Sequence, residues 1–352
     1  MNALFTDLLA IIGVIMDALP QALLALAFGF ASVPTAVAFF IGAAGNAITG
    51  NVAPISFQAE TITYAGTSGK NRAERCTMVF IGALILTIIG VCGVLTNIID
   101  FIGPNIANGM MAGVGLLLTK ASLDMVKEDH IAGGVSVVTA LITYFLTRNS
   151  THALIYTIVV CVVSSSIVAT LIDKEEKVIT VEEDKFAHPK FIINKQVLMG
   201  AFGMACLNIG SNISFGQITA DMANVKDFNV DHLTVISSLA DMGSSFFGGA
   251  PVESIISTTA TAPHPVSAGI IFMIIVGVIL LSGLVPKIGR FVPATSGAGF
   301  LLVLGLFSTF IADAPLALAD APAVGGTTLV VTAFSNPFFG MIAGIVVRFI
   351  GV

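Results

Sequence analysis

Apolar runs long enough to cross a bilayer follow one another from residue 7 to residue 351, and residues 173–195 interrupt them with the longest run of charge. A spanning helix needs about 20 predominantly apolar residues. Segments read near 7–30, 32–49, 52–67, 76–97, 102–122, 131–147 and 151–172. After the polar linker they read near 196–222, 231–248, 250–262, 264–286, 290–311, 314–333 and 335–351. That makes fourteen, in two groups of seven; the short runs 52–67 and 250–262 leave the count at twelve to fourteen. Charged residues are 10% of the chain, against about 25% in soluble domains. Mean hydropathy is +0.98. A water-soluble fold could not bury so much apolar surface, so a soluble enzyme is excluded. The chain reads as an all-α polytopic membrane protein.

The halves are related. At an offset of 190, Gly93, Ile98, Phe101, Gly109, Gly115 and Leu116 match Gly283, Ile288, Phe291, Gly299, Gly305 and Leu306. At shifted offsets, APISFQAET (53–61) is similar to APVESIIST (250–258), and MDALPQAL (16–23) to LNIGSNIS (207–214). An odd number of spans per repeat gives the two copies opposite orientations. Inverted repeats of this kind mark alternating-access transporters, with the site near the midplane where the repeats meet. The first repeat is expected over 1–172, the linker over 173–195 and the second repeat over 196–352.

Two short segments break helix chemistry at corresponding places, one after Pro54 and one after Pro251. The second is rich in Ser and Thr and closes at Pro263 and Pro265. Proline removes a donor and disfavours helix in the residue before it, so each stretch reads as extended and then briefly helical. Unpaired backbone at membrane depth survives only where it is buried in protein or lines a cavity. Each segment also carries an acid, Glu60 or Glu253, and an ionisable group inside a span is a functional hypothesis by default. Such a carboxyl suits the uptake and release of a proton or the holding of a cation.

Asp17 and Gln21 in the first segment, and Asn208 and Asn212 in the eighth, are spaced i, i+4 and so share a helical face. The repeat relation sets Gln21 opposite Asn212. Amides donate and accept, which fits the edge of a planar polar ligand, although helix–helix hydrogen bonding is the competing use. The expected solute-binding set is Gln21, Phe57, Glu60, Asn208, Asn212, Glu253, Ser254 and Ser257. The expected ion-coupling set is Glu60, Glu253 and Asp241, for H⁺ or Na⁺.

Other chemistry is thin. Cys76, Cys92, Cys161 and Cys206 stand singly without a CxxC and read as small core hydrophobes. His130, His152, His188 and His232 fall in loops or segment ends, and His264 lies in Pro-His-Pro; none has metal-ligand spacing. No metal or other cofactor is expected, and no nucleophile constellation or phosphate-binding glycine loop is present. A net charge of −6 without a basic stripe excludes nucleic acid as a partner. The linker runs DKEEK and EEDK read as solvated surface. No basic region precedes the first apolar run, which is therefore expected to be retained. Its partners are then a small-molecule substrate and the lipid bilayer.

The run from Gln21 to Pro34, the Pro54 segment, GMMAGVGL (109–116), and the stretch from Asn212 through FFGGAPVES (246–254) to GFLLVLGL (299–306) together resemble the nucleobase–cation symporters. That group includes the uracil, xanthine and ascorbate permeases and the hypoxanthine/guanine permeases. The resemblance implies a core domain (7–97 with 196–286) moving against a gate domain (102–172 with 290–352), solute bound between segments three and ten, a plasma (inner) membrane location and a homodimer. Gln21 sits where uracil permeases have a Gln before a His, here Ala22. Asn212 falls where they have a solute-binding Glu, and Ser257 near their second Glu; Glu253 lies four residues earlier. The expectation is a symporter of a purine or pyrimidine base. An organic or inorganic anion carrier on the same fold is the near alternative, and a non-transporting scaffold subunit the distant one.

Orientation divides the expectations. Lys70, Arg72, Arg75, Lys120, Lys127, the linker lysines, Lys287 and Arg290 fall on one side of fourteen spans, and Arg148, Lys226 and Arg348 on the other. The positive-inside rule then puts both termini outside, whereas the resemblance implies both inside.

Overall fold

The computed structural model describes residues 3–150, 153–172, 185–289 and 291–351. Linker residues 173–184, together with His152 and Arg290, lie outside the described residues. In the first repeat come α1 (Ala3–Ala27), α2 (Ser32–Thr49), β1 (Ile55–Ser56) with α3 (Ala59–Ser68), α4 (Arg72–Val91), α5 (Leu95–Ile102), α6 (Pro104–Glu128), α7 (Ala132–Thr147) and α8 (Ala153–Leu171). The second repeat holds α9 (Lys195–Met222), α10 (Val230–Phe246), β2 (Glu253–Ser254) with a 3₁₀ turn Thr258–Thr261, α11 (Pro265–Leu281) and α12 (Leu284–Gly289). It closes with α13 (Ala298–Leu302), a π-helical stretch Val303–Phe310, α14 (Ile311–Leu318), α15 (Pro322–Phe334) and α16 (Pro337–Ile350).

Short helices α5 and α12 precede the fifth and twelfth segments in matching places. With β1–α3 counted as the third segment, β2 and its turn as the tenth, and α13 to α14 as the twelfth, each repeat has seven. Among the described residues seven helices are long and apolar enough to cross a membrane, and four apolar helices are shorter. The fold is an all-α polytopic membrane fold, a seven-plus-seven inverted repeat whose third and tenth segments are short and broken.

Local chemistry sets the boundaries. Asn71, Asn194, Asn229 and Asn336 each accept the N–H three residues on, at 2.8–3.0 Å, and start α4, α9, α10 and α16. Each cap is worth about 1 kcal/mol. The two broken segments differ in one respect. After β1 the chain makes the ten-residue α3, whereas after β2 it makes only the four-residue 3₁₀ turn. There the Ser257 hydroxyl accepts from Thr259 N–H (3.2 Å) and Thr261 donates to the Thr258 carbonyl (2.9 Å), so side chains compete with helical bonding before Pro263 and Pro265 close the segment.

Two compact units divide the described chain. The first comprises 3–25, 30–98 and 185–285, and the second 26–29, 99–150, 153–172, 286–289 and 291–351. Lipid tails are as apolar as side chains, so close fit and hydrogen bonds hold such helices together. In the first unit Phe57 packs 5.3 Å from Phe39, which lies 6.3 Å from Phe272. In the second unit the Ser136 hydroxyl donates to the Ser296 carbonyl (2.6 Å) and accepts from Gly299 N–H (2.9 Å). Ser122 donates to the Ala298 carbonyl (2.7 Å), and these serines fasten α6 and α7 to the start of α13.

Cys76, Cys161 and Cys206 are buried as expected of core thiols, but Cys92 is exposed. It follows the last residue of α4, at the C-cap. His264, read from sequence as a minor residue, has a partner: its backbone N–H and Nδ1 lie 3.1 and 2.8 Å from the Asp7 carboxyl oxygens, tying α1 to the start of α11.

Candidate functional site

In the first unit the two broken segments run antiparallel, Ile55 opposite Ser254 and Ser56 opposite Glu253. Ser56 and Glu253 are 197 residues apart, the same offset as Pro54 and Pro251. Ser56 and Glu253, equivalent positions of the two repeats, therefore face each other, as they must at a local two-fold axis.

Backbone groups that helix would have satisfied are met here by side chains. The Asn46 amide donates to the Ala53 carbonyl (2.9 Å), and Asn51 accepts from Ala53 N–H (2.9 Å). On the other strand, Thr35 accepts from Ala250 N–H (2.8 Å) and Ser244 donates to the Ala250 carbonyl (2.6 Å). Asp241 accepts from Val252 N–H (2.6 Å), Asn212 from Ser254 N–H (3.3 Å), and Thr219 donates to the Ile255 carbonyl (2.9 Å). Strand Ile255 N–H reaches the Pro54 carbonyl at 3.3 Å. Gly248, at φ +87°, makes the turn out of α10 that an L side chain would strain. This is the condition under which non-helical backbone persists at membrane depth.

A polar cluster gathers behind β2. Glu253, Asp241, Asn208 and Asn212 are all fully buried. The Asn208 amide donates to Glu253 Oε1, and the Asp241 carboxyl lies within hydrogen-bonding reach of Glu253. Asn212 donates to Ser237 (3.0 Å), which also faces Glu253. Asn208 Oδ1, Asp241 Oδ2, Glu253 Oε2 and the Ser254 hydroxyl find no hydrogen-bond partner among the described residues, and neither carboxyl has a Lys or Arg partner there. Among the same residues no three His, Cys, Asp or Glu side chains converge as metal ligands.

After β1, α3 begins at Ala59. Gln58 stands before it in extended conformation, 3% exposed, with neither end of its amide bonded among the described residues. Glu60 is buried in the first turn of α3.

The residues singled out from sequence separate into three groups. Asn208, Asn212, Glu253 and Asp241 come together, and Ser254 and Glu60 lie on the paired broken segments. Gln21 instead donates to the Asp17 carboxylate within its own helix (3.2 Å), whereas Asn212 engages Ser237, Ser254 N–H and Glu253. Phe57 belongs to the aromatic core and Ser257 to its own turn. Sequence reasoning missed Ser237 and Gln58. Ser237 was visible as the residue one turn before Asp241 on the same face of α10. Gln58 was visible as an amide placed directly before the only full helix in either broken segment.

No protein family matches the sequence, and no curated protein matches it either. Solved structures do resemble the fold. The transmembrane domain of a cyanobacterium bicarbonate transporter, BicA, aligns over 99% of this chain and 98% of that one, with a TM-score of 0.66 and 14% identity. SLC26A9 aligns over 99% of this chain and 65% of that one, at 0.70 and 15%. The murine Solute Carrier 26 family member A9 anion transporter, in the inward-facing state, aligns over 99% and 68%, at 0.70 and 14%. Identities this low speak for the fold and leave the chemistry to the site.

Proposed function

We propose that this chain is a secondary transporter that carries a small anion together with a cation by alternating access, the first unit serving as core and the second as gate. The observation that carries the reading is the antiparallel pairing of two broken segments, with buried polar groups left unpartnered beside it. A scaffold has no use for such an arrangement. The positive end of α3 and the free Gln58 amide offer donors to an anion. Glu253 and Asp241, buried with no Lys or Arg partner among the described residues, would oppose an anion arriving alone, so a proton or Na⁺ has to enter with it. The resembling bicarbonate and anion transporters favour the same solute class. A plasma-membrane location and a homodimeric assembly belong to this reading.

A nucleobase is the second reading, and one observation favours it. Gln58, with a donor and an acceptor unbonded among the described residues, suits the edge of a planar polar ring.

Thermal unfolding of the purified protein against bicarbonate, sulfate, benzoate, uracil and adenine, with and without Na⁺ and at two pH values, separates them. A ligand bound by the folded state stabilises it by RT ln(1 + [L]/Kd), about 2.7 kcal/mol at a hundredfold excess over Kd. Stabilisation by an anion that needs Na⁺ or low pH supports the proposal. Stabilisation by a base alone replaces the anion with the second reading, and silence across the panel removes both.

A further inference from the structure

We infer that Asp241 and Glu253 form one shared-proton site, a carboxylic acid hydrogen-bonded to a carboxylate, and that this pair is where the coupling cation of the proposed transport cycle resides. The inference deepens that reading and rests on it for its role, though not for its existence.

The two carboxyls come from different elements, Asp241 from the last third of α10 and Glu253 from β2, and meet with no exposure to solvent. Each spends one oxygen on a fixed donor: Asp241 Oδ1 takes Val252 N–H at 2.6 Å, and Glu253 Oε1 takes the Asn208 amide. That leaves Asp241 Oδ2 and Glu253 Oε2, neither of which receives a proton from any described group. The groups bearing on the pair are Val252 N–H on its own strand, Asn208 and Asn212 from α9, and Ser237 from α10, all neutral. Two ionised carboxylates in contact at no exposure, with no cationic side chain, repel at a cost the neutral donors do not offset. One proton between them resolves this: it forms an O–H bond on one carboxyl and is accepted by the other, so the pair carries a single negative charge when filled.

A second observation is independent of the acids. Asn208 is itself fully buried, and with its Nδ2 engaged on Glu253 its Oδ1 has no partner among the described residues. That oxygen is an alternative acceptor beside the pair, to which the O–H can turn when the bridge between the two carboxyls opens. Loading is then H⁺ in from one side to form the O–H, and release is H⁺ out to the other side with the O–H broken, one proton per cycle. Glu60, in the first turn of α3, is not one of the two carboxyls of this site.

Infrared difference spectroscopy of the full-length protein in lipid reads this without any solute, so the pair and the transport reading fail separately. The wild type is expected to show a carboxylic-acid C=O band at neutral pH that shifts in D₂O and disappears on alkaline titration. The band is expected to be lost in Asp241→Asn and in Glu253→Gln, and retained in Glu60→Gln. Wild-type titration in NaCl and in choline chloride needs no variant. A band unaffected by Na⁺ supports a proton, whereas a band displaced by Na⁺ overturns it in favour of a metal cation. No band in the wild type, or a band surviving in the double variant Asp241→Asn with Glu253→Gln, overturns the shared-proton site.

Discussion

Gly115 and Gly305, matched positions of the two repeats, pack backbone against backbone in the second unit. A Cβ on Gly115 would lie 2.5 Å from the Gly305 carbonyl oxygen and 2.9 Å from Phe310 N, and one on Gly305 would strike the Gly115 carbonyl. Gly305 lies inside the π-helical stretch Val303–Phe310, a local departure that often marks functional positions. As with Ser56 and Glu253 in the first unit, residues equivalent by repeat meet each other.

Because the neighbouring atoms are backbone, neither glycine can gain a methyl group without moving a helix. Gly115→Ala or Gly305→Ala is expected to destabilise the protein by about 1–3 kcal/mol, the usual cost of overpacking. Gly134→Ala, where a Cβ meets nothing within 4 Å, is expected to leave the thermal midpoint unchanged or raise it. Equal midpoints for all three variants would contradict this packing.

Thr35 holds the start of the tenth segment in place. Its hydroxyl accepts from Ala250 N–H at 2.8 Å and donates to the Ala31 carbonyl at 2.7 Å, in a fully buried setting. Thr35→Val keeps the shape and strands the Ala250 N–H, for a loss of about 1–3 kcal/mol, and Thr35→Ser is expected to restore it. Unfolding midpoints of the two variants check this; a Val variant as stable as the Ser variant would refute the role.

The architecture was legible because its signals are collective. Fourteen apolar runs, two matched Pro-broken segments and the offset glycines all point to one fold. The cluster behind β2 was legible only in part. Asn208, Asn212 and Glu253 stand out as polar residues in apolar spans, but Asp241 gained its importance from a meeting across elements that spacing cannot show. Gln21 illustrates the reverse: its position by repeat matched Asn212, yet an acid one turn away on its own helix satisfied it first. Phe57, placed in the expected solute-binding set, packs against Phe39 in the aromatic core. Cys92 was read by composition with three buried thiols, and only the end of α4 separates it from them.

That exposed thiol gives orientation a direct readout. Fourteen spans put Cys92 on the side opposite Lys70, Arg72 and Arg75, and cations collect on the cytoplasmic face. A membrane-impermeant maleimide is expected to label Cys92 in intact cells, and Cys92→Ser to abolish the labelling. Labelling only after permeabilisation would reverse the orientation and leave the charge bias to be explained.

Cation-coupled carriage of an anion is tested most directly by accumulation in proteoliposomes. Labelled sulfate would be followed under an inward proton gradient, and labelled sulfate and bicarbonate under an inward Na⁺ gradient. The account predicts that at least one anion rises above its equilibrium level while a gradient lasts, with the proton gradient driving it. Glu253→Gln is predicted to abolish that accumulation while the protein remains folded. No accumulation of either anion under any gradient, or accumulation undiminished in Glu253→Gln, would contradict it.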